Sequence, residues 1–267
     1  MPGNEKDVIK FLFENKNKIN LNHFKSIRSI KIPYGNELYE LNLKNFNDFF
    51  SDDARKKADV FINDKGCSIK EEESFLFNRL QRKDISEFFG NFFKKEAIKK
   101  MIVSLDKKVK DIHIGVSKDR HGKIKRHKQN FKYEEIMTEL EFKELLIFLM
   151  FEGSPNYGKT KAPAEFIIEA KKKIESPNDL VVYSFEDYFE KNKKEITFRF
   201  RSSRFGQESK TEHNRAKGML KYKENLPWCF NTIVGKPKAW RQDIDEKDRK
   251  QVYYLMIEKV KKKNKKK

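Results

Sequence analysis

Two short apolar runs, Val60-Phe-Ile62 and Cys67-Ser-Ile69, flank the tetrapeptide Asn63-Asp-Lys-Gly66. Such runs around turn-forming residues specify a β-hairpin, because Asn, Asp and Gly tolerate the positive φ that tight turns demand. The chain must therefore build a sheet that buries at least part of this hairpin. A turn centred on Asp64 and Lys65 pairs Asp59 directly with Lys70 and sets both side chains on one sheet face. One carboxylate opposite one lysine is the least equipment that metal-assisted phosphodiester cleavage needs, although an ordinary hairpin with charged ends has the same pattern.

The charge of the whole chain favours the chemical reading. Sixty Lys and Arg against 41 Asp and Glu leave a formal net charge of +19, so polyanionic partners are expected. With 267 residues, 37% of them hydrophobic and 24 of them Phe, the chain can bury the core of one large domain or of two closely joined ones. Charged residues reach 38%, yet the apolar ones fall in periodic runs, unlike those of a disordered chain. The only cysteines, Cys67 and Cys229, fit no zinc spacing, and the N-terminus Met-Pro-Gly-Asn-Glu-Lys-Asp has no cationic, apolar signal segment. A cytoplasmic setting is expected. No membrane association is expected either, since the longest apolar run is only Leu145 to Phe151.

Periodicity then gives a mixed α/β order. Val8 to Asn17 reads as a helix, Ser29 to Pro33 as a strand and Glu37 to Phe50 as a helix carrying Glu37 and Glu40. Ile85 to Leu105 has helical spacing, with Phe88, Phe89, Phe92 and Phe93 as core. From Lys107 to Lys132 there are ten Lys or Arg, and Ile112, Ile114 and Val116 alternate with His113 and Gly115. The alternation predicts a basic β-ribbon, either one that enters a DNA groove or a solvated hairpin. His113, His121 and His127 have no matching ligands and read as surface residues. Glu134 to Phe151 reads as a largely buried helix.

Gly153-Ser-Pro-Asn-Tyr-Gly158-Lys159-Thr160 matches the phosphate-loop pattern letter by letter. A true phosphate loop comes after a buried strand and opens a helix. Here the preceding residues read as helix, and Pro163 sits where the phosphate-binding helix would already be running. The segment is therefore read as a loop joining two helices, with Pro163 in the first turn of the second. Glu169-Ala-Lys171 then falls on a helix, where residues two apart diverge. Leu180 to Tyr183 reads as a buried strand, Ser184 with Asp187 as a helix cap, and Glu195 to Arg201 as a strand with Ile196, Phe198 and Phe200 on one face and Thr197, Arg199 and Arg201 on the other. Ser202 to Gln207, with Lys210, His213, Arg215 and Lys217 beyond, reads as the surface for specific DNA contacts. Trp228, Phe230 and Ile233 read as core and Asp243 to Val260 as a last helix, before a lysine-rich end that is a solvated terminus, a phosphate-binding arm, or both.

Ala58-Asp-Val-Phe-Ile, joined across the turn to Ser-Ile-Lys70-Glu-Glu-Glu-Ser-Phe-Leu-Phe-Asn-Arg-Leu-Gln-Arg82, resembles the PD-(D/E)xK nuclease motif, and specifically the core of type II restriction endonucleases. The resemblance covers roughly residues 37 to 82. It implies an α/β (mixed α+β) fold with a restriction-endonuclease-like central mixed sheet flanked by helices, spanning residues 1–106, and a basic α/β recognition region over 107–267 continuous with it. It also implies Mg²⁺ held by Asp59 and the main-chain carbonyl of Ile69, with Lys70 orienting or activating water. Two positions depart from the family pattern: Ala58 stands where Pro is usual, and Ser68 where an acid is usual. Ser68 can hold a metal-bound water, and Glu40 or Glu72 can restore the missing charge.

Asn78, Arg79, Arg82, Arg120, Lys123, Lys125, Arg126, Arg199, Arg201, Ser203, Arg204, Gln207 and Lys210 complete the expected DNA-binding set. The expected protein is a homodimer that makes Mg²⁺-dependent, sequence-specific double-strand cuts in DNA, without a nucleotide cofactor. A non-catalytic DNA- or RNA-binding protein and a P-loop phosphohydrolase are the alternatives.

Overall fold

The computed structural model describes residues 4–42, 44–45, 55–72, 75–118, 129–155, 157–231 and 240–260. In chain order the elements are α1 (Glu5–Glu14), β1 (Ile30–Tyr34), β2 (Glu37–Glu40), β3 (Val60–Ile62), β4 (Lys65–Glu71), β5 (Phe75–Leu80), α2 (Arg82–Phe89), α3 (Lys95–Lys118), β6 (Asn130–Phe131), α4 (Glu139–Ile147), β7 (Gly153–Ser154), β8 (Gly158–Lys159), β9 (Phe166–Ala170), β10 (Leu180–Tyr183), α5 (Phe185–Asn192), β11 (Ile196–Phe205), α6 (Lys210–Leu220), β12 (Cys229–Asn231) and β13 (Lys250–Lys259). The fold is mixed α/β. Two compact units are each assembled from separated stretches: residues 1–77, 143–196 and 259–267 form one, and 78–142 with 197–258 form the other. The boundary expected at residue 106 is thus replaced by a chain that passes between units four times.

The first unit holds a six-stranded sheet in the order β10-β9-β4-β3-β1-β2. Only β4 and β9 pair in parallel; the chain between Glu71 and Phe166 makes the long crossover such a pair requires. One face of the sheet is apolar: Ile30, Ile32, Val60, Ile62, Cys67, Ile69, Ile168 and Ala170 are buried there together with Val8, Ile9 and Leu12 of α1. Each large aliphatic side chain among them contributes about 1.5 to 3 kcal/mol by leaving water. Alternation then sends Phe61, Ser68, Lys70, Ile167 and Glu169 to the other face. Over the β9–β10 half of that face lies α5, whose Lys191 reaches Glu169 at 2.8 Å. Ser184 caps α5, its hydroxyl accepting the Asp187 amide.

Four expectations in this unit are corrected. Glu37–Glu40 is the edge strand β2, not a helix; residues 43 and 46–54 lie outside the described ones. Gly153 to Lys159 is a small β7–β8 hairpin with Gly153 opposite Lys159, neither a helix-connecting loop nor a phosphate loop, and no helix starts at Pro163. The segment carrying Glu169 is the strand β9, because a central strand buries both faces and shows an apolar run without alternation. The hairpin register also differs. Val60 faces Cys67 and Ile62 faces Lys65, so the turn is Asn63-Asp64, both with positive φ (49° and 66°), as a type I′ turn requires.

Two contacts with residues distant in sequence select that register. The Asn63 side chain accepts the amides of Arg28 and Ser29 and donates to the Ser26 carbonyl. A Cβ on Gly66 would come within 2.2 Å of the Pro163 carbonyl oxygen, so only glycine fits this close approach.

In the second unit the sheet order is β12-β13-β11-β6, with β5 also paired to β13. Helix α3 runs unbroken to Lys118, with Ile98, Met101, Leu105, Val109 and Ile112 buried at three- and four-residue spacing. This overturns the expected ribbon, for which Ile112, Ile114 and Val116 were too short a sample of the period. Arg120, Lys123, Lys125 and Arg126, with His121 and His127, lie outside the described residues, as does Ile233. His113 is buried, not on the surface, and stacks on Phe230 at 4.3 Å. Residues 250–259 form β13, not a helix; eight consecutive buried residues hide the strand period. Among the described residues no helix is long and apolar enough to cross a membrane.

Candidate active site

Asp59 lies at a bend just before β3, and its amide donates to the Cys67 carbonyl at 2.9 Å. Val60 is also paired with Cys67, so Asp59 and Val60 together stand opposite one residue, as in a bulge, and Asp59 is not paired with the expected partner Lys70. Ser68 and Lys70 share one face of β4, and both act on the Asp59 carboxyl, Ser68 through its hydroxyl and Lys70 through its charge.

The carboxylate is held tightly. Its Oδ2 accepts the Ile69 amide at 2.6 Å and the Ser68 hydroxyl at 3.4 Å, while Oδ1 has no hydrogen-bond partner among the described residues. Burial pushes the Asp59 carboxyl above its ordinary value, and the Lys70 ammonium, the Ile69 amide and the Ser68 hydroxyl oppose that push. A carboxylate in this condition favours a neighbouring cation.

Two participants were not foreseen. Lys57, two residues before Asp59, donates to the Leu149 carbonyl at 2.7 Å. Burial pushes its ammonium down to about 8, the Lys70 charge adding to the effect and Asp59 resisting it. The second is Glu169, directly beside Lys70 in the parallel β4–β9 register. It is 4% exposed and receives Lys259 at 2.6 Å and Lys191 at 2.8 Å. The signal for Glu169 was present in the sequence as an acid-x-lysine triplet, and a helical reading of its segment hid it. Nothing in the sequence marked Lys57, whose environment comes from the turn after α4.

The other expected acids stand apart from Asp59. Glu40 aligns with Phe61 through Lys31, two strand spacings or roughly 10 Å away, and its charge acts on Lys31. Glu72 lies just past the end of β4, exposed, and acts on Lys171. Among the described residues no three His, Cys, Asp or Glu side chains cluster as a metal site. Among the described residues the oxygen donors at Asp59 are thus its own carboxylate, the Ser68 hydroxyl and the Ile69 carbonyl, all hard oxygens. Mg²⁺ binds through one or two carboxylates completed by water and substrate phosphate, so this sparse set fits it.

The expected DNA contacts that are described all belong to the second unit. Arg199 and Arg201 both engage the buried carboxylate of Glu258, at 3.2 and 3.4 Å, so part of their charge is spent internally. Ser203 is fully buried, which removes it from the contact set: it sits at an inward position of β11. Arg82 forks onto Asp106 at 2.9 and 2.8 Å, and Arg79 lies over the Tyr254 ring. Asn78 and Arg204 are partly exposed, Lys210 is exposed at the start of α6, and Gln207 bridges to Trp240. His213 is buried and accepts the Gly206 amide. Comparison with protein-family models, curated proteins and solved structures finds no match.

Proposed function

We propose that the protein is a Mg²⁺-dependent endonuclease of the PD-(D/E)xK type that makes sequence-specific double-strand cuts in DNA. The observation that carries this reading is the clamp of Asp59 by the Ile69 amide, with the Lys70 ammonium near enough for its charge to act on that carboxyl. The six-stranded sheet with helices on both faces accords with a restriction-endonuclease-like core. Asp59 and the Ile69 carbonyl would hold the cation, with Ser68 placed to orient a water. A bound Mg²⁺ would supply Lewis-acid polarisation of the phosphate and a more acidic water.

Lys70 supplies a fixed positive charge where a phosphodiester gains negative charge as it is attacked. Lys57 adds a second, weakly held proton beside it. The ion pairs of Glu169 with Lys191 and Lys259 tie β9 to α5 and to the segment at Lys259, which fixes the strand flanking Lys70. Arg204, Gln207 and Lys210 are the candidates for base and phosphate contacts. Two identical sites in a homodimer would account for cutting both strands.

Supercoiled plasmid incubated with Mg²⁺ and with EDTA tests the reading: discrete fragments only with Mg²⁺ are expected. Glu169, the carboxylate beside Lys70, is already engaged by Lys191 and Lys259, which favours one rival, a non-catalytic nucleic-acid-binding protein. That rival predicts retarded but intact plasmid under both conditions.

A further inference from the structure

Beside the candidate site the first unit has a cleft of about 450 Å³. Its lining includes Phe61 of β3, on the sheet face that carries Ser68 and Lys70. The β7–β8 hairpin and its end supply Tyr157, Lys159 and Thr160, and the adjoining segment supplies Lys161 and Ala162. This wall is anchored to the site itself, because the Ala162 carbonyl accepts the amides of Lys57 and Ala58 at 3.2 and 3.0 Å. Among the described residues that line it, the cleft is cationic: Arg55, Lys56, Lys159 and Lys161 stand against the carboxylate of Glu37, which accepts the Tyr39 hydroxyl. Lys159 and Lys161 have no carboxylate partner among the described residues. Tyr157 is 58% exposed and Leu38 45% exposed, so an aromatic ring and an aliphatic side chain stand open to solvent beside these cations.

A basic groove with an exposed aromatic is the combination that binds a nucleotide, phosphate to the cations and base to the ring. We infer that this cleft is a subsite for one nucleotide of the DNA strand that reaches Asp59 and Lys70, its base against Tyr157 and its phosphate on Lys159 and Lys161. The inference rests on the nuclease reading for the identity of the strand. It gives the Gly-Lys-Thr segment a role unlike that of a phosphate loop: the lysine is presented by a β-hairpin and no helix N-terminus takes part.

The test is equilibrium binding of a fluorescein-labelled single-stranded dodecamer to the full chain in EDTA, read by anisotropy across a salt series. Tyr157→Ala is expected to weaken binding about tenfold, the loss of one stacked base, and Tyr157→Phe to bind like wild type. The double change Lys159→Ala with Lys161→Ala is expected to flatten the slope of log K against log salt by about 1.4, two phosphates' share for a single strand. Tyr157 and both lysines are exposed, so these variants keep their fold, which circular dichroism checks. Wild-type affinity and slope in all variants overturn the inference. So does displacement of the dodecamer by millimolar dAMP that Lys159→Ala abolishes, since the ligand is then a free nucleotide. Plasmid left intact in Mg²⁺ while these binding losses occur sinks the nuclease reading and leaves the subsite standing; plasmid cut normally with binding unmoved does the reverse.

Discussion

The Ile69 amide donates to Asp59 Oδ2 at 2.6 Å, so the backbone immediately before Lys70 fixes the carboxylate that Lys70 faces. The Lys70 side chain is half-buried and makes no hydrogen bond or ion pair among the described residues, which leaves it available to a substrate. Lys70→Ala should therefore leave DNA affinity nearly unchanged and lower plasmid cleavage at least about a hundredfold, as for loss of one preorganised charge. Turnover at the wild-type rate would remove Lys70 from the chemistry.

Gly66 faces the Pro163 carbonyl where a Cβ would sit 2.2 Å from the oxygen, a backbone atom that cannot swing aside. Gly66→Ala is expected to destabilise by about 1 to 3 kcal/mol through forced backbone shifts. Because the Pro163 segment adjoins the wall of the cationic cleft, the same variant should bind single-stranded DNA less tightly even where it remains folded. Urea denaturation and anisotropy on one preparation read both effects.

Glu169 is the counter-charge for Lys259, itself 3% exposed. Glu169→Ala takes the carboxylate from that buried ammonium, which keeps its place over the Tyr188 ring, and should cost about 3 to 5 kcal/mol. Lys259→Met removes the cation, leaves Glu169 its partner Lys191, and should cost less. The order of the two urea midpoints is the measurement, and equal midpoints would show that the pair is not a coupled buried interaction.

The elements legible in the sequence were those made by contacts within a few residues: the hairpin, the α1 stripe of Val8, Ile9 and Leu12, the alternation from Ile196 to Phe200 and the Ser184 cap. The register was missed by two because Asn63 and Asp64 compete with Asp64 and Lys65 for the turn. Distant contacts decided it, in the Asn63 side chain against residues 26–29 and Gly66 against Pro163. Asp59 stays within reach of the Lys70 charge all the same, because its side chain is held by the Ile69 amide. Strands β9 and β13 were misread for a common reason: burial on both faces erases the alternation that distinguishes a strand from a buried helix. That error concealed Glu169 and Lys259 together, since they meet as an ion pair between those two strands.

Lys57 provides the pH test. Its ammonium titrates at about 8 in the folded chain, against an ordinary value of 10.5, chiefly through burial. Below about pH 8 the folded and unfolded chains are both protonated, so the penalty of burying the charge is complete and constant. Between about 8 and 10.5 the unfolded chain holds the additional proton, and stability rises with pH across that window. Lys57→Met lacks this titration, so the stability of wild type relative to that variant should increase by up to about 3 kcal/mol between pH 7.5 and 10.5. Urea midpoints measured for both proteins at half-unit intervals give the curve. A difference that stays flat across the window would mean that the Lys57 ammonium is solvated, and would take from the site its weakly held proton.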